Sequence, residues 1–225
     1  MLVKNWMSKP VITVDVNDSM DKAIKLLKQH DINMLPVMEK GRLVGIVADR
    51  DLKKASASNA TSLEIHELLY IISTIKVKEI MTKDPITVPY DYTVEETAQV
   101  LLKHKISGVP VIDREGEMVG AITQTDLFRL IISLTGVDRR GIQFGFEVED
   151  RPGSIKVVTD TLRRYGGRMA SILTSYDLAP EGFRRVYIRM YSIDRFKLDR
   201  LKDELEKKAK MLYMVDRREI RREIY

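Results

Sequence analysis

One stretch of this chain occurs twice, and that recurrence limits its folds more than any other feature. Met34–Leu52 reads MLPVMEKGRLVGIVADRDL, and Gly108–Leu127 reads GVPVIDREGEMVGAITQTDL. Pro36 aligns with Pro110, Val37 with Val111, Gly45 with Gly120 and Asp51 with Asp126. The offset is 74 residues, and 75 once the second turn has gained a residue. Each copy predicts a strand, a charged Gly-containing turn, a second strand and then a helix. Self-similarity at such a period marks a repeated supersecondary unit rather than a continuous fold.

The repeat extends upstream. Met7–Val14 (MSKPVITV) parallels Met81–Val88 (MTKDPITV) at the same offset. A helix is expected after each. Asp18 or Ser19 can cap the first, with Ala23, Ile24 and Leu27 on its apolar face. Thr93 and Glu96 have capping-box spacing for the second, with Val94, Ala98 and Leu101 at i, i+4, i+7. His30 and His104 fall at the matching helix ends, where they suit the dipole. Each copy therefore reads strand–helix–strand–strand–helix. A polar link, Ser56–Ser62, and a further apolar helix, Glu64–Ile75, join the copies.

The last third has its own pattern. Ile142–Glu149 (IQFGFEVE) alternates as a half-buried strand, and Asp150-Arg151-Pro152-Gly153 is a turn. Ser154 opens a helix with Ile155, Val158 and Leu162 on one face, ended by Gly166-Gly167. Strands at Met169–Tyr176 and Phe183–Met190, a charged helix at Arg195–Lys208 and a strand at Met211–Val215 complete the order βαββαβ, which is ferredoxin-like. In the tail, Ile220 and Ile224 would share one face if it were helical.

Composition narrows the function classes. There is no cysteine, so disulfides, thiolate metal sites and cysteine nucleophiles are excluded, which fits a reducing cytoplasm. No apolar run approaches the 18 or so residues that span a bilayer, and MLVKNWMSKP lacks a signal-peptide core, so no membrane role is expected. Residues 1–139 carry 18 Lys+Arg against 19 Asp+Glu, leaving 20 against 14 for residues 140–225. The basic excess thus belongs to the C-terminal third. It allows a nucleic-acid-binding regulator as an alternative, but its charges are interleaved and no recognition motif accompanies them. The three histidines are scattered, so no metal site is expected. No Walker loop, nucleophile elbow or GxGxxG is present, and no catalytic residue is assigned.

The hairpin residues Pro36-Val37, Gly45 and Asp51, with Pro110-Val111, Gly120 and Thr123-x-x-Asp126, resemble cystathionine-β-synthase-type (CBS) repeats. The pair over roughly residues 1–135 resembles a tandem CBS module. The turn Asp150-Arg151-Pro152-Gly153-Ser154-Ile155, at the first strand–helix junction of a βαββαβ unit, resembles an ACT domain. That order of domains is similar to the AcuB (acetoin utilisation) family. The expected fold class is α+β. Residues 1–62 form one CBS repeat and residues 63–136 the second with its entry helix. Residues 140–216 form an ACT-like domain, and residues 217–225 a basic tail.

The resemblance implies a non-catalytic regulatory sensor, with no required cofactor, that binds AMP, ADP, ATP or another adenosyl compound. It also implies a homodimer, with the regulated enzyme unknown; a subunit accessory to acetoin or acetyl metabolism is a further alternative. Thr123-x-x-Asp126 reads in two ways, which can coexist. It is a helix capping box, or a carboxylate held to grip a ribose diol beside a helix N-terminus. By resemblance, Ile86, Thr87 and Val109 would wall the adenine slot of the Asp126 site. Ile12, Thr13 and Leu35 would do so for the Asp51 site, with Arg50 toward phosphate. Ala48 stands where Thr123 does, which removes a polar contact and ranks the Asp51 site below the Asp126 site. The loop from Asp150 to Ile155 can hold an amino-acid ligand in the family, or be a plain turn.

Overall fold

In this computed structural model, residues 1–59, 70 and 72–225 are described. Most of the expected Glu64–Ile75 helix lies outside them. The chain divides into two compact units, Met1–Phe128 and Arg129–Tyr225.

In the first unit, each repeat builds the expected β–α–β–β–α order. The first has β1 (Val14–Asp15), α1 (Met20–His30), β2 (Met34–Glu39), β3 (Arg42–Ala48) and α2 (Asp49–Asn59). After a short α3 (Val77–Ile80) and β4 (Thr82–Lys83), the second has β5 (Val88–Pro89), α4 (Val94–His104), β6 (Gly108–Ile112), β7 (Met118–Thr123) and α5 (Gln124–Thr135). Local chemistry sets the boundaries. Ser19 caps α1 by accepting from Lys22 N at 3.2 Å, and Thr93 and Glu96 cap each other's backbone at α4. Asp31 and Lys105 end the two helices in the left-handed region, each returning its N–H to a carbonyl of the last turn. Pro36 and Pro110 stand one residue before the parallel pairings Val14↔Val37 and Val88↔Val111 begin. There a missing N–H removes no bond to the parallel neighbour.

The repeats exchange their entry segments. β4, which opens the second copy, pairs antiparallel with β3 of the first (Gly45↔Lys83, Ile46↔Thr82). Reciprocally, Ser8 of the first copy bonds to Ala121 on β7 of the second, N to O at 2.8 Å and back at 3.2 Å. Val77 is buried in the core of the first repeat. Val3, its counterpart 74 residues earlier, is buried and donates to Tyr92 O at 2.9 Å in the second. Gly45 and Gly120 permit this approach: a Cβ at Gly45 would lie 2.7 Å from Met81 Sδ, and one at Gly120 2.4 Å from Met7 Sδ.

In the second unit, β8 (Ile142–Glu149), α6 (Ser154–Arg164), β9 (Arg168–Ser175), β10 (Phe183–Tyr191), α7 (Leu198–Glu206) and β11 (Lys210–Asp216) follow in the order β–α–β–β–α–β. With a last strand, β12 (Arg221–Ile224), the sheet runs β12-β11-β8-β10-β9. Alternate residues of β8 (Ile142, Phe144, Phe146, Val148) and β10 (Val186, Ile188, Met190) face Val158 and Leu162 of α6 and Leu198, Leu201 and Leu205 of α7 in one core. The charged helix is shorter than expected, with Arg195–Lys197 forming a 3-10 turn ahead of it.

The tail corrects the expectation of a helical face. Residues Arg221–Ile224 form β12, antiparallel to β11. The Asp216 carboxylate accepts from Arg218 N (2.9 Å) and Glu219 N (3.3 Å) and folds a turn, and Ile220 takes a left-handed φ of 54°. Those two bonds reverse the chain, and the open edge of β11 then satisfies the backbone of residues 221–224.

Candidate functional site

The junction between hairpin and helix positions the same carboxylate in both repeats. Asp51 accepts from Ala48 N at 2.9 Å, and Asp126 accepts from Thr123 N at 2.9 Å, so each sits at the third position of a helix start. Thr123 adds its hydroxyl to Asp126 at 2.7 Å, and the Asp126 amide lies 3.4 Å from that hydroxyl. The capping geometry is therefore present at Thr123–Asp126. Asp126 is only 6% exposed. Ala48 leaves Asp51 without the hydroxyl partner, and Asp51 remains partly exposed, with Arg50 Nε 3.9 Å away.

A cavity of about 560 Å³ opens beside Asp51. The first repeat contributes Met34, Ile46, Ala48, Asp49, Arg50 and Asp51. The exchanged segment before β5 contributes Thr82, Asp84, Pro85 and Ile86, and the second repeat Lys105, Ile106, Gly108 and Gln124. The structure thus brings Arg50, Asp51 and Ile86 together. It does not bring Thr87, Val109, Thr123, Asp126, Ile12, Thr13 or Leu35 to this lining. Val109 and Leu35 are fully buried in β6 and β2, and Ile12 packs against the first repeat's core. Position in the repeat pairs Ile86 with Asp126; the β3–β4 pairing carries it to the Asp51 side instead. Asp84, Pro85, Lys105 and Ile106 also line the cavity but were not assigned to it. Only knowledge of the exchange would have pointed to them.

The cavity suits a small molecule with one flat apolar part and one polar part. Met34, Ile46, Pro85, Ile86 and Ile106 supply apolar wall, and Asp51 is among the polar groups of the lining. Its charged lining is Asp49, Asp51 and Asp84 against Arg50 and Lys105. Asp49 is also paired with Lys53 at 2.6 Å. The lining is therefore not a cationic phosphate cradle.

The CBS domain pattern matches residues 3–58 and 77–133. The chain belongs to the CBS-domain family. The two matches begin at Val3 and Val77, the residues at the head of the exchanged segments. A CBS domain-containing protein of Dictyostelium discoideum is 34% identical over 135 residues, 60% of this chain and 93% of that one. The L-aspartate semialdehyde sulfurtransferase of Methanocaldococcus jannaschii is 41% identical over 130 residues, but the match spans only 23% of that enzyme. A CBS domain pair solved with 5′-methylthioadenosine and S-adenosyl-L-methionine is 39% identical with a TM-score of 0.50, covering 58% of this chain and 95% of that one. A Vibrio cholerae protein assigned to acetoin utilization (AcuB) is 26% identical with a TM-score of 0.52, covering 61% and 95%. In this CBS protein, no helix among the described residues is long and apolar enough to cross a membrane.

The Asp150–Ile155 loop lies in the second unit. Asp150 pairs with Arg184 at 3.2 Å, Arg151 pairs with Glu149, and Ile155 packs on the core. Arg151 and Ser154 line a cavity of about 460 Å³. Ser154 Oγ is buried without a hydrogen-bond partner. Gly153 has φ of 87°, which a side chain resists.

Proposed function

We propose that this protein is a non-catalytic regulatory sensor whose Asp51 cavity takes an adenosyl compound of low negative charge. The carrying observation is a cavity of purine-nucleoside size, with apolar walls from both repeats and a helix-start carboxylate in its lining. Asp51 would accept from the ribose diol, and Ile86 and Ile46 would sandwich the base. Three carboxylates against two cations disfavour a triphosphate. The ligands of the similar CBS pair, one a thioether and one a sulfonium, agree with that sign of charge. The reciprocal bond of Ser8 to Ala121 supports a second, Asp126-based site, to which the Ile12 segment would contribute. Because the Asp51 cavity joins both repeats, a ligand that prefers one arrangement would shift their relative orientation and signal to a partner enzyme.

The C-terminal unit is read as an ACT-like, ferredoxin-like domain that dimerises the chain. The unpartnered Ser154 hydroxyl beside Arg151 supports a small-ligand role for its loop. Calorimetric titration of the full chain with 5′-methylthioadenosine, S-adenosylmethionine, AMP and ATP tests the cleft. The first two should bind at least tenfold tighter than ATP, and Asp51→Ala should weaken them more than Asp126→Ala. Failure of all four to bind below millimolar concentration removes the sensor; tighter ATP binding removes the charge argument.

A further inference from the structure

The sheet of the second unit has one face covered by α6 and α7. A cavity of about 520 Å³ lies on its other face. Register aligns Arg189, Gln143, Val215 and Arg222 in one row from β10 to β12. Two residues along, and therefore on the same face, lies the row Tyr187, Gly145, Tyr213 and Ile224. Tyr213 stacks on Tyr187 with ring centroids 6.3 Å apart, directly over Gly145. A Cβ there would come within 2.5 Å of the Tyr213 ring, so glycine is what lets the aromatic wall lie flat.

Arg189 lines this cavity and is only 5% exposed. Its Nη2 donates to Gln143 Oε1 at 2.7 Å, but Nε and Nη1 have no partner. A buried guanidinium with two unmet donors is an unusual thing for a fold to keep. Burial and then the nearby Arg217 press its pKa down, against a smaller opposing effect of Tyr213. Arg217 and Arg222 line the same cavity, and no carboxylate does. Of the acids on these strands, Glu147 shares this face beyond Gly145 and is paired with Lys210 at 2.9 Å, while two others face away. Glu223, between Arg222 and Ile224, reaches Lys202 of α7 at 2.8 Å, and Asp216 holds Arg195 at 2.8 Å on the core side.

We propose that this cavity binds the phosphoryl oxyanion of a small phosphorylated molecule. Three guanidinium forks supply the donors that a dianion needs, and their planar geometry matches phosphoryl oxygens. Tyr213 and Ile224 offer an apolar wall for the rest of the molecule. The site is separate from the Asp51 cavity and does not depend on it.

The test is calorimetry of the full chain with pyrophosphate at constant ionic strength, with malonate as the carboxylate counterpart. One saturable pyrophosphate site is expected, together with a rise in Tm. Arg189→Gln should abolish binding, and the double change Arg217→Gln/Arg222→Gln should weaken it tenfold or more. Arg50→Gln, in the other unit, should leave it unchanged. If Arg189→Gln fails to fold by circular dichroism, the double variant decides. Absence of saturable binding, an unaltered Kd in the double variant, loss of binding in Arg50→Gln, or tighter malonate than pyrophosphate overturns the assignment.

Discussion

Acid should unfasten β12 through a single carboxylate. β12 is a four-residue edge strand paired only with β11, so side chains add to what that short ladder can hold. Glu223 accepts from Lys202 Nζ of α7 at 2.8 Å and from Tyr225 OH at 2.6 Å, and it pairs with Arg221. Asp199 approaches the same lysine at 3.5 Å. The hydrogen bond from Lys202, followed by that from Tyr225, holds the Glu223 carboxyl down to about 2 from an ordinary 4.5. The Tyr225 hydroxyl is pushed up to about 12, first by burial and then by its bond to Glu223. The folded pKa of Glu223 lies below the unfolded one, so the fold prefers the charged form. That contribution is complete above pH 4.5 and is lost as pH falls from 4.5 to about 2.

The gap of about 2.5 pH units, at about 1.36 kcal/mol each, sets a ceiling of about 3.4 kcal/mol. Glu223 is 22% exposed and Lys202 14%, so solvent screens the pair, and about 1 kcal/mol is the realistic share. Carbon-13 NMR of the glutamate carboxyls between pH 1.5 and 7 measures the midpoint directly. Glu223 should titrate near 2, and Lys202→Met should raise its midpoint above 3. Urea unfolding at pH 7 should find Glu223→Gln less stable by about 1 kcal/mol, a difference that fades toward pH 2. A Glu223 midpoint in the ordinary range of 4 to 4.5, or one that ignores Lys202→Met, would refute the reasoning.

Three further outcomes test the packing of both units. Gly45→Ala sets a Cβ 2.9 Å from Thr82 O as well as against Met81, so β4 must move. It should cost about 1–3 kcal/mol by thermal melting and weaken adenosyl binding. Gly120→Ala meets the Met7 side chain first, and pairing it with Met7→Ala should recover most of its loss. Asp216 is 1% exposed, and Arg195 grips it through two nitrogens at 2.8 and 3.1 Å. Arg195→Met strands that charge and should cost about 3 kcal/mol in urea unfolding, and a loss below 1 kcal/mol would show the pair to be dispensable.

Most elements were legible because their signals are local. Thr93 and Glu96 announce a helix start three residues apart, and the alternation of Ile142–Glu149 announces a strand whatever lies beside it. The tail shows where locality misleads. Ile220 and Ile224 are four apart, which fits a helical face, yet both are exposed and the segment is a turn and a strand. The deciding interactions were the open edge of β11 and the Asp216 carboxylate. The open edge is a property of tertiary structure, and the carboxylate reads in sequence as one acid among many.

The exchange of entry segments is the deeper case, because the repeat itself concealed it. Aligning two copies assigns each residue to the copy in which it stands, so Ile86 goes with Asp126 and Ile12 with Asp51. Nothing in MTKDPITV or MSKPVITV says which hairpin it will meet: both open on Met, and both hairpins carry the glycine, Gly45 and Gly120. In the structure each segment crosses over, Thr82 to Ile46 and Ser8 to Ala121. A cavity wall then combines a carboxylate from one repeat with an isoleucine from the other. Had each repeat kept its own segment, a ligand could fill one repeat without touching its twin. With the segments exchanged, any ligand between Asp51 and Ile86 must contact both. The proposed sensing role would therefore rest on a contact between copies that no single copy encodes.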